Sequence, residues 1–171
     1  MYPVAPLNRA LSSAIQSRID NKTKPLGALG DLETLALRLG QIQLQHASDP
    51  LAICHPTMLV FAGDHGIANA GVSIAPSEVT TQMVLNFVAG GATINVFCRQ
   101  LGWQLKVVDC GILAPLDHPQ VISQRLGAGT RPFHQALAMG KALVEQGFAL
   151  ARELVRAQLA DGCNLLAFGE M

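Results

Sequence analysis

Two carboxylates stand where an apolar run meets glycine. Met58-Leu59-Val60-Phe61-Ala62 leads into Gly63-Asp64-His65-Gly66, and Cys163-Asn164-Leu165-Leu166-Ala167-Phe168 leads into Gly169-Glu170-Met171. A carboxylate next to an imidazole at a strand end can hold a metal or move a proton. The same four residues also have a purely architectural reading. Asp64 caps backbone amides, His65 holds the loop, and the glycines permit the turn. Neighbouring residues of an extended chain point in opposite directions. Asp64 and His65 are therefore a poor pair for one ion, and the expectation is a site-shaping loop of Asp64, His65 and Gly66 with no metal. Glu170 is placed to accept hydrogen bonds from a sugar hydroxyl; the alternative is a solvated side chain.

Other candidates carry weaker signals. Gly90-Gly91-Ala92 matches neither GxxxxGK[ST] nor a strand-borne GxGxxG, so a helix C-cap or close packing is expected there. Gly127-Ala128-Gly129-Thr130, followed by Arg131, offers backbone amides to a phosphate, with a plain loop as the alternative. His46, His55, His118 and His134 show no partner pattern and read as loop or surface residues. Asn21-Lys22-Thr23 has the form of a glycosylation sequon, which a cytosolic chain would not use. Trp103, after Gly102, reads as covering a helix end.

The elements that must position these residues follow from periodicity. Leu7, Leu11, Ile15 and Ile19 mark a helix face over about 7–21, which Lys24-Pro25-Leu26-Gly27 ends. Leu32, Leu35, Ala36 and Leu39 mark a second helix over about 29–44. Strands are expected at 58–62, 105–109 and 163–168. Helices are expected from an N-cap at Ser77 to Ala89, over 92–101 and over 137–159. Residues 113–135, with Pro115, Pro119 and Pro132, read as a long loop containing a short strand near 121–124. Alternating strands and helices predict a parallel sheet, whose ligands gather at the carboxyl ends of the strands. The candidate loops there are 63–75, 109–113 and 169–171. Three strands make a small sheet against the usual five or six or so, so the expectation is a sheet cut short at its C-terminal side.

Composition narrows the function classes. Of 171 residues, 50% are hydrophobic, and 12 basic side chains balance 12 acidic ones. With no basic tract, nucleic-acid binding by phosphate neutralisation is not expected. The mean hydropathy of +0.31 suits a buried parallel sheet or a surface that meets further polypeptide. Cys54, Cys98, Cys110 and Cys163 form no CxxC pair, which reads as reduced thiols in a cytoplasmic protein. The first twenty residues lack the apolar core of a secretory signal. No run of about 18 apolar residues exists, so no membrane span is expected.

A series of motifs in fixed order resembles the nicotinate-nucleotide–dimethylbenzimidazole phosphoribosyltransferase family. They are Lys24-Pro25-Leu26-Gly27-Ala28-Leu29-Gly30-Asp31-Leu32-Glu33, Phe61-Ala62-Gly63-Asp64-His65-Gly66, Gly71-Val72-Ser73 and Val79-Thr80-Thr81-Gln82-Met83-Val84. Phe87-Val88-Ala89-Gly90-Gly91-Ala92-Thr93-Ile94-Asn95, Val108-Asp109-Cys110-Gly111, Gly127-Ala128-Gly129-Thr130 and Phe168-Gly169-Glu170-Met171 complete it. The resemblance covers nearly the whole chain and matches the N-terminal half of the family. It implies an α/β fold: a partial Rossmann-like parallel sheet over 51–171, flanked by helices and truncated at its C-terminus, with an N-terminal helical subdomain over 1–50. It implies transfer of ribose phosphate from nicotinate mononucleotide to 5,6-dimethylbenzimidazole or a related base, giving an α-ribazole phosphate and nicotinate, without a cofactor. The general base would be a glutamate in the later half of the family, beyond Met171, whose burial in an apolar pocket raises its pKa toward neutrality. Glu170 would bind the nucleotide. The loop 73–83 would form the wall of the base pocket, with Ala75 and Met83 at positions where some members carry serine and glutamine, and with Ser73, Ser77 and Gln82 close by. The family is dimeric, so a homodimer or pairing with a second chain is expected.

Three functional readings follow. The chain is a partial phosphoribosyltransferase, inactive alone; or a non-catalytic base-binding module or subunit that needs a second chain; or an unrelated small hydrolase using Asp64 and His65.

Overall fold

The computed structural model describes residues 4–171. The reading of the N-terminus as a non-signal sequence rests partly on residues 1–3, which lie outside the described residues. The chain divides into two compact units, one ending at Ala52 and one spanning Ile53–Met171.

The first unit holds helices α1 (Ser12–Asp20) and α2 (Asp31–Gln43). Ile15 of α1 is buried and packs against Gly40 of α2, where an added Cβ would lie 3.0 Å from the isoleucine side chain. Helix α1 starts later than its apolar spacing predicts. Asn8 instead donates its backbone N–H to the Gln41 carbonyl, which holds the preceding segment along α2. The turn before α2 is tied by Glu33, which pairs with the Lys24 ammonium at 2.8 Å and accepts from the Leu29 N–H at 3.1 Å.

The second unit is a four-stranded parallel sheet of β1 (Thr57–Gly63), β2 (Gln104–Gly111), β3 (Val121–Ser123) and β4 (Leu166–Glu170), in the order β3-β2-β1-β4. Helices α3 (Glu78–Ala89), α4 (Thr93–Leu101) and α5 (Lys141–Ala160) connect it. The α/β class and parallel sheet match the expectation, with the short strand near 121–124 as a fourth member. Alternation along the strands sorts the side chains. Val60, Ala62 and Val107 pack with Val84, Phe87 and Ala92 on the α3–α4 face. Leu59 and Val108 pack with Leu154 of α5 on the other. Burying a side chain such as Leu59 contributes about 2 kcal/mol. The connection from β1 to β2 runs one way along the sheet and the connection from β3 to β4 runs the other way, so two right-handed crossovers put their helices on opposite faces. The sheet is therefore doubly wound, and the winding reverses between β1 and β4.

Element boundaries differ from the spacing where tertiary contacts intervene. Ser77 is already helical (φ −61, ψ −23) and makes no side-chain cap, so it does not act as the predicted N-cap. Helix α5 begins at Lys141 rather than 137, because the Arg131 N–H donates to the Ala138 carbonyl and Gly140 is extended (φ −74, ψ 153). Strand β4 begins at Leu166, later than Cys163, because the Cys163 N–H closes the end of α5 on the Gln158 carbonyl. Residues 78–101 together are long and apolar enough for a membrane span. Gly90, left-handed at φ 81, divides them into two helices whose Val84, Phe87 and Cys98 are buried. The Gly90 C-cap agrees with its sequence reading. Trp103 donates its N–H to the Cys98 carbonyl behind left-handed Gly102, which closes the end of α4 as read from the sequence.

Candidate functional site

The carboxyl ends of β1, β2 and β4 converge at the reversal of winding, where open α/β sheets bind ligands. The end of β1 is knitted to both neighbours. Gly63 donates to the Met171 carbonyl at 2.8 Å, and Asp64 donates to the Gly111 carbonyl at 3.1 Å.

Asp64 is 6% exposed, and both carboxylate oxygens are engaged. Oδ1 accepts from the Thr80 hydroxyl at 2.7 Å, and Oδ2 accepts from the Leu113 N–H at 2.7 Å. One carboxylate thus ties the β1 loop to α3 and to the loop after β2. His65 is exposed, and its backbone bridges to Thr130. Gly66 donates to the Thr130 carbonyl at 3.1 Å. A Cβ at Gly66 would lie 2.5 Å from that carbonyl oxygen, so only glycine allows the approach. Among the described residues no group of three or more His, Cys, Asp or Glu is placed to hold a metal ion.

A second buried carboxylate was visible in sequence only as the end of a candidate loop. Asp109 is 1% exposed. Its Oδ1 accepts from the N–H groups of Gly111 (2.8 Å) and Ile112 (3.0 Å), and its Oδ2 pairs with Arg125 at 2.7 Å. The signal for it was the repeated pattern of apolar strand, carboxylate and glycine. Its partner Arg125 left no local trace. Burial, and then the Asp109 charge, push the neighbouring Cys110 thiol up in pKa.

The remaining predicted residues separate into groups. Glu170 lies within β4 rather than after it, since Met171 still donates to the Phe61 carbonyl. It borders a cleft of about 400 Å3 whose wall includes Met58, Val60, Met83, Phe87 and Ile94. Met83 and Glu170, 87 positions apart (170 − 83), thus share one apolar cleft with a carboxylate at its edge. Gln82 is exposed on α3. Ser73 and Ala75 lie in the exposed loop before α3, where the Ser73 hydroxyl donates to the Ala75 carbonyl at 2.8 Å. The structure does not gather these three into the Glu170 cleft. The amides of Gly129 and Thr130, two candidates for holding a phosphate, donate to the carbonyls of Gly111 and Asp64. His55 has a partner that its sequence context did not show: Nδ1 lies 2.7 Å from the Asp161 carbonyl oxygen.

Fold and site together define a parallel α/β chain with a cleft at the carboxyl ends of its strands. A family model described as phosphoribosyltransferase matches residues 4–171; the chain belongs to that family. It is 57% identical to the nicotinate-nucleotide–dimethylbenzimidazole phosphoribosyltransferase of Shewanella frigidimarina, covering 100% of this chain and 50% of that protein. It is 58% identical to the protein of that name from Shewanella oneidensis, covering 99% of this chain and 48% of the other. A crystal structure of nicotinate-nucleotide–dimethylbenzimidazole phosphoribosyltransferase from Thermus thermophilus superposes with a TM-score of 0.88 at 37% identity, covering 96% of this chain and 49% of that one. A crystal structure of CobT from the same organism gives 0.86 at 38% identity, covering 94% and 48%. The chain spans about half the length of the curated relatives it matches.

Proposed function

We propose that residues 53–171 supply nucleotide- and base-facing walls of an enzyme that transfers ribose phosphate from nicotinate mononucleotide to 5,6-dimethylbenzimidazole. In that reaction a ring nitrogen of the incoming base bonds to the anomeric carbon, nicotinate leaves with the electrons of the broken C–N bond, and the base surrenders its N–H proton. The observation that carries the reading is the shared cleft of Met83 and Glu170 at the reversal of winding. An apolar wall suits a flat aromatic base, and a carboxylate at its edge accepts hydrogen bonds from a ribose hydroxyl. Asp64, His65 and Gly66 shape the loop beside it, while Ser73, Ala75 and Gln82 form the outer approach to the base.

The outer edge of β4 pairs with no strand among the described residues, and Phe168 on it is 64% exposed. This supports association with further polypeptide, in a homodimer or from a second chain. The four cysteines are free, which suits a cytoplasmic protein.

The test is direct binding. Calorimetric titration of the purified chain with nicotinate mononucleotide is expected to show saturable binding that Glu170→Gln weakens about tenfold, the loss of one charge-assisted hydrogen bond. Absence of binding to both nicotinate mononucleotide and dimethylbenzimidazole, or equal affinity in the variant, would overturn the reading. Turnover by the chain alone would overturn the expectation that it is inactive by itself.

A further inference from the structure

A second cleft, of about 500 Å3, is bordered by the Asp64 loop. Its rim carries His65, Asn69, Ser77, Arg131, His134 and Gln135. We propose that this cleft is an oxyanion site, taking a phosphate or carboxylate group borne on a small polar body, and that it is separate from the Glu170 cleft.

Three observations support the assignment. First, the residues lining it are rich in donors: a guanidinium, two imidazoles, two carboxamides and two hydroxyls. The only carboxylate in the lining is Asp64, whose two oxygens already accept from Thr80 and Leu113. Second, Arg131 has no ion pair and no side-chain hydrogen bond among the described residues. Its backbone is nonetheless fixed, with the N–H on the Ala138 carbonyl at 3.0 Å. An arginine on an anchored backbone, without an internal partner for its guanidinium, is suited to bind planar oxyanions through two parallel N–H groups. Third, the other rim is held as firmly. The His65–Thr130 bridge and the Gly66–Thr130 hydrogen bond bring the two histidine-bearing segments together. His134 Nε2 lies 3.1 Å from the Gln135 carboxamide nitrogen. Accepting that proton places the imidazole's own N–H on Nδ1, free to donate elsewhere. The volume falls within the usual range for small-molecule sites of about 300–1,000 Å3, so the oxyanion is the head of a larger ligand.

The site is tested on the purified chain with sodium phosphate and sodium nicotinate as probes, each against sodium chloride at matched ionic strength. Histidine ring signals in NMR serve as the readout. Saturable shifts of His65 and His134 with phosphate, with nicotinate or with both support the proposal; the probe that binds tells phosphate from carboxylate recognition. Arg131→Gln is expected to weaken that binding about tenfold, Arg131→Lys less, and Glu170→Gln not at all. No saturation by either anion below roughly 50 mM, far weaker than a millimolar site, would overturn it. So would equal affinity of Arg131→Gln and the parent chain, or shifts confined to His46, His55 and His118. The ring shifts of the unsubstituted chain decide the matter even if a variant fails to fold. Loss of nicotinate mononucleotide binding in Glu170→Gln with the anion shifts intact separates this site from the transferase reading.

Discussion

The Asp64 carboxylate meets the backbone N–H of Leu113 at 2.7 Å across 49 residues of sequence. Its other oxygen holds the Thr80 hydroxyl at the same distance. Through one buried side chain the ends of β1 and β2 and the first turn of α3 share a fixed geometry. Replacing Asp64 by Ala leaves the Leu113 amide and the Thr80 hydroxyl without that acceptor. A destabilisation of about 3 kcal/mol is expected, and Thr80→Val should cost about 1 kcal/mol. Urea unfolding measures both, and a change under 0.5 kcal/mol or so for Asp64→Ala would show that the carboxylate does not hold the loops.

Asp109 and Arg125 predict an asymmetry. Asp109 is buried, while the Arg125 side chain keeps 21% exposure. Arg125→Ala strips a buried carboxylate of its ion partner and should cost about 3 kcal/mol. In an Asp109→Asn background the same change should cost much less, because no charge is left behind. Additive losses in that double-mutant cycle would refute a coupled pair.

Gly66 is a position where a single methyl group meets backbone that cannot move aside. A Cβ there meets the Thr130 oxygen at 2.5 Å, the Pro132 nitrogen at 2.8 Å and the Pro132 Cδ at 2.9 Å. Two of these three atoms belong to the backbone and cannot swing aside. Gly66→Ala should therefore cost about 2 kcal/mol and expose the Gly66–Thr130 region to amide exchange. Unchanged melting and unchanged protection at Gly66 would contradict the close approach.

Glu33 predicts the acid behaviour of the N-terminal unit. The Lys24 hydrogen bond, and then the Leu29 amide, hold its carboxyl below the ordinary glutamate range. A depressed folded-state pKa contributes stability that is fully present above the unfolded value. That stability is lost as pH falls through the folded one. Helical circular dichroism followed from neutrality to below the ordinary glutamate pKa should show an acid-side loss that Glu33→Gln removes. An identical acid limb in the variant would assign the loss to other carboxylates.

The elements were legible in the sequence because their signals are local. The apolar runs around Leu59, Val107 and Leu166 announced strands, and Gly90 and Gly102 announced the ends of two helices. The motif series from Lys24 to Met171 pointed to the family that the comparisons establish. Errors fell where a local rule met a longer-range competitor. Ser77 had the right residue type for an N-cap, yet the helical turn begins before it and the nearby side-chain bond goes from Thr80 to Asp64.

The sequence by itself determined which stretches are strands or helices, where glycine is required and which carboxylates stand at strand ends. Only the tertiary structure decided that β4 lies beside β1, not β3. That adjacency brings Glu170 and Met83 to one cleft. It also decided that Asp64 and Asp109 serve as anchors, with Leu113 and Arg125 as partners. The physical reason is range. Helix and strand periodicity is written in neighbouring residues. Parallel strand pairing and the satisfaction of buried carboxylates are settled between segments that meet only when the sheet is assembled.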